Sequence, residues 1–312
     1  MIFQQSGQAL GSNIDLRIEA NNPDQANKVF KSLWDKIFSF EAKFSRFKVE
    51  SELSKFNARA GKEVEISEDF AKFLEKVKQM SRLTDGLFNP FVLPALQRAG
   101  YTRSLIDDNL SGTDYSQRMI ANWSALELGV GRAKIPRGTA IDIGGIGKGY
   151  LADSLAGWLD ESGTEVYCLS LGGDIIARGG TWPIYIQSAK KRAEDVAVYE
   201  TDRSRFAVAT SGQTRQQNGR LQSHQIDVST GELSLSEFEI ATVVSETATI
   251  ADVLASLALM RGRDFARRFV ESGHLQAILL QSSDKVYVDG EGIQLLGNKD
   301  LAADRKRRVL NA

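Results

Sequence analysis

Four glycines crowd into six residues, at 144, 145, 147 and 149, between a strand-like end at 140–143 and a stretch carrying Leu151, Leu155, Trp158 and Leu159 at helical spacing. No other segment restricts the fold as tightly. The chain has to end a strand, turn where side chains do not fit, and start a helix running to about residue 160. A turn of this kind presents backbone N–H groups at the positive end of a helix dipole, and Lys148 adds a full charge there. The segment reads either as a phosphate site or as a tight structural turn. A Walker loop is excluded, because Asp142 stands where the first glycine belongs and Gly149 where Ser or Thr follows the lysine. The Rossmann fingerprint is excluded as well, since Gly145, Gly147 and Gly149 space as GxGxG.

Around this junction the pattern is mixed. Ile14, Leu16 and Ile18 alternate in a strand over 12–20, and Asn22, Pro23 and Asp24 break it. From residue 24, Ala26, Val29, Phe30, Leu33, Trp34, Ile37, Phe38 and Phe44 form the apolar stripe of a long helix. A second helix spans 67–83, and 121–136 reads as short strands and turns. Further strands are expected at 166–171, 182–187, 196–200, 206–210, 240–245, 275–280 and 285–289, with helices at 249–260 and 264–271. Runs of strands punctuated by separate helices predict an α+β fold with much antiparallel sheet, because the strict alternation of a doubly wound fold is missing.

Composition narrows the function. Among 312 residues, 39 basic and 40 acidic side chains nearly cancel, so no global field draws nucleic acid or an anionic membrane. A small-molecule or protein substrate is expected instead. With Cys168 the only cysteine, an internal disulfide and a multi-cysteine zinc site are both impossible. No apolar run is long enough to cross a bilayer and the start has no signal-like pattern, so the expectation is a soluble, cytoplasmic chain, or a cell-envelope one if a leader has been removed. The RKRR run at 305–308 reads as a solvated basic end.

Three later segments carry polar chemistry. Gly172, Gly173 and Asp174 make a second glycine turn, which alone is plain chain reversal, and ATSG at 209–212 ends a strand in hydroxyls. His224, one of two histidines, lies in a polar stretch after Asn218 and Gly219, where a core role does not fit. Asp252 and Ser256 fall at i and i+4 of a helix. They suit one hard cation such as magnesium, or else are a dipole-stabilised acid near a helix start and an unrelated serine.

Taken in order, these pieces resemble the ApbE family, the FAD:protein FMN transferases. ALGS at 9–12 is similar to the family's AMGT, and FSRFKVESELSKFN at 44–57 to its S-x-Y-x-x-x-S-E-[IL]-S-x-x-N segment. DGLFNPFVLP at 85–94 is similar to G-x-F-D-P-x-V-x-P, and DIGGIGKG at 142–149 to D-[IL]-G-G-I-A-K-G. The turn at 172–174, ATSG at 209–212, HQID at 224–227 and the helix at 247–256 complete eight motifs in family order. The departures are Phe47 for the family's tyrosine, Asn89 for its aspartate, Val228 for a proline and Ser256 for a threonine.

The resemblance implies a single two-lobed domain, with lobes of about 1–135 and 136–312 and a flavin site between them. It implies that Leu10, Phe47, Phe88, Asn89 and Pro90 line an FAD pocket, that Asp142, Lys148 and Ile226 contact the dinucleotide, and that Gly145 through its carbonyl, Asp252 and Ser256 hold Mg2+. His224 would accept the proton. The implied activity is transfer of FMN from FAD, as substrate, to a threonine or serine hydroxyl of an acceptor protein, releasing AMP. FAD hydrolysis at the same site, flavin binding without turnover and an unrelated magnesium–nucleotide module are the alternatives.

Overall fold

The computed structural model describes residues 1–102, 113–191, 193–215, 221–222, 225–296 and 310–311. Its frame is one eight-stranded sheet: β1 (Ile2–Ala9), β2 (Ser12–Glu19), β3 (Tyr167–Leu171), β4 (Asp174–Arg178), β5 (Arg205–Gly212), β6 (Ile240–Ser245), β7 (Ala277–Gln281) and β8 (Val286–Gly290). The strands lie side by side in chain order, every neighbouring pair antiparallel. The sheet is therefore a meander whose connections have grown, the largest separating β2 from β3.

Period-two alternation decides what each face buries. Ala207, Ala209 and Val243 face a helical layer, whereas Val208 and Val244 face the opposite side. That layer consists of α1 (Pro23–Phe44), α5 (Gly147–Glu161) and α6 (Ala248–Glu271). Opposite it, Ile184–Gln187 and Asp195–Tyr199 form a small sheet with Ile293–Leu295, and Ile184 and Tyr199 pack on Cys168, Ile175 and Phe206. The β2–β3 connection also carries α2 (Glu52–Ala58), α3 (Glu68–Leu83) and α4 (Leu93–Arg98), with a small sheet of Val64–Glu65, Arg132–Lys134 and Glu127–Gly129. No helix among the described residues is long and apolar enough to cross a membrane.

The α+β class expected from the sequence is the one observed, with local differences. The first two strands belong in space with the strands after residue 166, so the main sheet takes its strands from both sides of residue 135. Strand β1, largely exposed and at the sheet edge, shows little apolar alternation and escapes the sequence reading. The two expected late helices are one helix whose path breaks at Gly262, at φ 74. Residues 140–143 are no paired strand. The side-chain amide of Asn57 stands in for a neighbour: its Nδ2 donates to the Ile141 carbonyl at 2.9 Å and its Oδ1 accepts from the Ile141 N–H at 2.8 Å. The Asp142 N–H then donates to the Pro90 carbonyl at 2.7 Å. A single side chain supplies what a strand would, which no hydropathy pattern reveals.

Candidate active site

Residues 144–149 lead into the N-terminus of α5, and the N-terminus of α6 abuts it. A Cβ on Gly149 would lie 2.5 Å from the Ala248 carbonyl oxygen and 2.8 Å from the Asp252 Cβ, so only glycine permits this approach. The Gly149 N–H donates to Asp252 Oδ2 at 3.0 Å. The glycine turn and the late helix, read separately from the sequence, are thus joined by a buried hydrogen bond. Asp153, one turn into α5, makes the reverse contact. It accepts the N–H groups of Ala248 and Thr249 at 2.8 and 2.9 Å and the Thr249 hydroxyl at 2.5 Å. Two helix N-termini, both positive ends of dipoles, converge here.

Lys148 pairs with Asp174 at 2.6 Å, and Asp174 is 2% exposed. The glycine turn before Asp174 is tight for the same reason as the first: a Cβ on Gly172, whose φ is +68°, would stand 2.7 Å from Ser12 and 3.4 Å from Lys148 Cδ. Burial acts to lower the Lys148 ammonium, but Asp174 and Asp252 outweigh it and the net direction is upward, so the lysine stays charged. Burial raises the Asp174 carboxyl against the pull of Lys148. Burial also pushes Asp252 up to about 7, with Asp174 adding to the rise and Lys148 and the Gly149 N–H opposing it. Asp153 rises through burial, opposed by its bonds from Thr249 and Ala248.

This arrangement fits a hard divalent cation. Asp174 and Asp252 share one ammonium, so their buried charge is not balanced. One turn beyond Asp252, half-buried Ser256 meets the Ser211 hydroxyl at 3.0 Å. Among the described residues no group of three or more His, Cys, Asp or Glu gathers as a metal cluster, and the hard oxygens that α6 offers here are the Asp252 carboxylate and the Ser256 hydroxyl. Magnesium takes such sets and completes them with water and phosphate.

The wall expected to face a flavin is built differently. Leu10 holds φ 57 in the two-residue β1–β2 turn with Gly11 at φ 68, and its N–H donates to Glu41 Oε1 at 3.1 Å. The Arg46 guanidinium lies 4.7 Å over the Phe47 ring centre and reaches Asp142 Oδ1 at 3.2 Å, while Asp142 Oδ2 accepts the Gly144 N–H at 2.7 Å. Phe88 approaches the glycine turn, its Cε2 3.9 Å from where a Cβ of Gly145 would sit. Asn89 uses both polar ends internally: Oδ1 accepts from the Phe91 N–H at 3.0 Å, and Nδ2 donates to the Ala121 carbonyl at 2.9 Å. Pro90 is buried and holds Asp142 as described. Ile226 is buried against Ala95 and Leu96. Next to Phe47, a small cavity is lined by Arg46, Leu93, Gln97 and Tyr115, and the buried Tyr115 hydroxyl has no hydrogen-bond partner among the described residues.

His224 lies outside the described residues. The chain just after it is fastened to α6, where Arg261 reaches Asp227 at 3.0 Å. The Gly149–Asp252 bond holds the glycine turn, with Gly145 and Lys148, against the helix that carries Asp252 and Ser256, and Phe88 approaches that turn; Asp142, paired with Arg46, belongs to the wall, and Ile226 packs on Ala95 and Leu96. The structure adds Asp153, Asp174, Ser211, Arg46 and Tyr115, which the sequence reading did not assign to the site. Asp174, Ser211 and Arg46 stood within noted motifs, whereas Asp153 and Tyr115 gave no signal without their spatial partners.

The model of the ApbE family matches residues 10–279. The FAD:protein FMN transferase of Haemophilus influenzae is 24% identical over 307 residues, covering 92% of this chain and 88% of that protein. The FAD:protein FMN transferase of Vibrio cholerae is 24% identical over 294 residues, covering 89% and 87%. Among solved structures, the ApbE protein of Thermotoga maritima superposes with a TM-score of 0.78 at 21% identity, covering 93% of this chain and 97% of that one. The Pseudomonas stutzeri flavinyl transferase ApbE gives a TM-score of 0.77 at 18% identity, covering 93% and 94%. The family match over residues 10–279, most of the chain, makes this chain a member of the ApbE family.

Proposed function

We propose that this chain transfers the FMN half of FAD to a threonine or serine hydroxyl of an acceptor protein and releases AMP. Family membership and the names of its relatives support this reading. The observation that carries it is the Gly149–Asp252 bond, which unites a charged glycine turn with a carboxylate-bearing helix in one buried cluster.

In this reading the diphosphate of FAD sits at the two helix starts, where Lys148 and backbone N–H groups offset its charge. Phe47, Phe88 and Leu10 supply the apolar contacts to the ring system, with Asn89 and Pro90 shaping the wall. Asp142 and Ile226 would contact the dinucleotide, as the family pattern implies. Asp252, Ser256 and the Gly145 carbonyl would hold magnesium, which when bound supplies charge neutralisation on the diphosphate oxygens. His224 takes the proton of the incoming hydroxyl, a role an imidazole can fill near neutral pH. The hydroxyl oxygen bonds to the FMN phosphorus, the diphosphate P–O bond breaks, and AMP departs with the electron pair.

The test is incubation with FAD and Mg2+, with and without a candidate acceptor. AMP together with flavin covalently on the acceptor is the expected result. AMP with only free FMN makes the protein an FAD pyrophosphatase, and bound but intact FAD makes it a flavin-binding protein; either outcome overturns the transferase reading.

A further inference from the structure

The contact between α5 and α6 has an internal symmetry that the reaction as proposed leaves unused. Gly149 and Asp153 stand four residues apart on α5, and Ala248 and Asp252 four apart on α6. Each carboxylate reaches across to the N-terminal amide of the other helix: Asp252 to the Gly149 N–H at 3.0 Å, Asp153 to the Ala248 N–H at 2.8 Å. Asp153 also holds Thr249 through its N–H at 2.9 Å and through its hydroxyl. The glycine at 149 lets the Ala248 carbonyl pass between the two bonds. Helix N-termini carry unsatisfied N–H groups, and here two helices satisfy each other's with charged acceptors.

The two halves of this clasp are not equivalent. Asp252 is the carboxylate assigned to a cation, and any cation it binds competes with the Gly149 N–H for its oxygens. Asp153 has no such second duty: both of its oxygens are engaged by α6. We infer that Asp153 is a positioning residue, which fixes the N-terminus of α6 on α5 and so keeps Asp252 and Ser256 at a set distance from the glycine turn when Asp252 turns to the cation. The inference rests on the reading of Asp252 and Ser256 as metal donors. Residues that orient metal ligands at one remove typically change metal affinity by 10–100-fold when removed.

The experiment uses the full chain without FAD and Mn2+ as the probe, titrated by electron paramagnetic resonance well below the melting temperature. Amide hydrogen exchange of the metal-free protein is the second readout. Asp153→Ala is expected to weaken Mn2+ affinity by roughly tenfold or more and to speed exchange at Ala248, Thr249 and, across the contact, Gly149. Asp153→Asn keeps one acceptor oxygen and is expected to lose less. Thr249→Val removes one of the three bonds and shows a smaller loss in the same direction, so the inference stays testable even if Asp153→Ala does not fold. Unchanged Mn2+ affinity in folded Asp153→Asn and Thr249→Val, with only a lower melting temperature, overturns the inference and leaves Asp153 a purely structural cap. If the wild-type chain itself binds no Mn2+, the metal reading falls and this inference with it; if the wild type binds and the variants bind equally well, only the inference falls.

Discussion

The two ends of the candidate site are made from opposite materials. At the meeting of α5 and α6, buried carboxylates face backbone N–H groups, and Asp174 and Asp252 share one ammonium, so with both ionised one negative charge is left over. At the wall of Leu10, Phe47, Phe88 and Asn89, polar ends are closed internally: Asn89 is bonded at both ends and Asp142 is answered by Arg46 and the Gly144 N–H. Unbalanced buried charge is costly, and a fold that keeps it does so where a ligand of opposite sign completes it. A closed, apolar wall asks for shape and contact area instead. The junction should therefore govern turnover, and the wall should govern how well a planar ring is held.

Asp252→Ala breaks this comparison most directly if it is wrong. On the proposed reading the substitution removes a cation donor worth several kcal/mol of charge stabilisation at the reacting phosphate, so AMP release should fall by roughly 100-fold or more. FAD affinity, read from quenching of flavin fluorescence, should change far less. Parallel loss of binding and turnover would erase the distinction between the two ends. Gly149→Ala comes next. Its Cβ would meet the Ala248 carbonyl oxygen at 2.5 Å, a backbone atom that cannot swing aside. Overpacking of this kind costs about 1–3 kcal/mol, measurable by urea unfolding. A melting temperature equal to wild type would show that the helix starts do not touch as described.

The same contrast explains how much of the molecule was legible beforehand. Helix α1 and strand β6 were readable because their apolar spacing is set by a large partner surface, and periodicity survives in the sequence. The glycine turn was readable because positive dipole ends and close approach leave few residue choices. Strand β4 was not, since its first residue, Asp174, looked like the end of a turn and its ion pair with Lys148 exists only in three dimensions. Asn57 was invisible as a strand surrogate, although it closes the motif running from residue 44, because its partner Ile141 lies 84 positions away. Asp153 gave no signal for the same reason: its partners are 95 and 96 positions distant. Local pattern encodes elements, while side-chain bonds across long separations encode how elements are joined.

The unbalanced junction also fixes the sign of a pH effect. Asp252 titrates higher in the folded chain, near 7, than the value of about 4 expected when unfolded. Between those values the folded state binds more protons, so stability falls as pH rises through the window; Asp174 shifts the same way. In EDTA the melting temperature should drop between pH 5 and pH 8 by roughly 4–12 °C, since a carboxyl pushed up to about 7 loses roughly 2–3 kcal/mol over that interval and about 1 kcal/mol shifts a larger domain by roughly 2–4 °C. Added Mg2+ should flatten the decline by compensating the ionised carboxylates. A melting temperature that climbs over the same interval, or one indifferent to Mg2+, would mean that the charge at the junction is already balanced.

The smallest effect belongs to the wall. Phe47→Tyr restores the hydroxyl that the family pattern carries, at a half-buried ring already covered by the Arg46 guanidinium. The cation holds to a tyrosine face as well as to a phenylalanine face, and the pair Arg46–Asp142 does not depend on the added atom. Stability should stay within about 0.5 kcal/mol of wild type. The flavin dissociation constant should move by no more than about threefold, with AMP release at saturating FAD unchanged, because contact area and not a polar handle sets the grip of this surface. A tenfold tightening would instead reveal an unmet acceptor at the ring, and would shift the buried Tyr115 hydroxyl, unpartnered among the described residues, from the margin of the site to its centre.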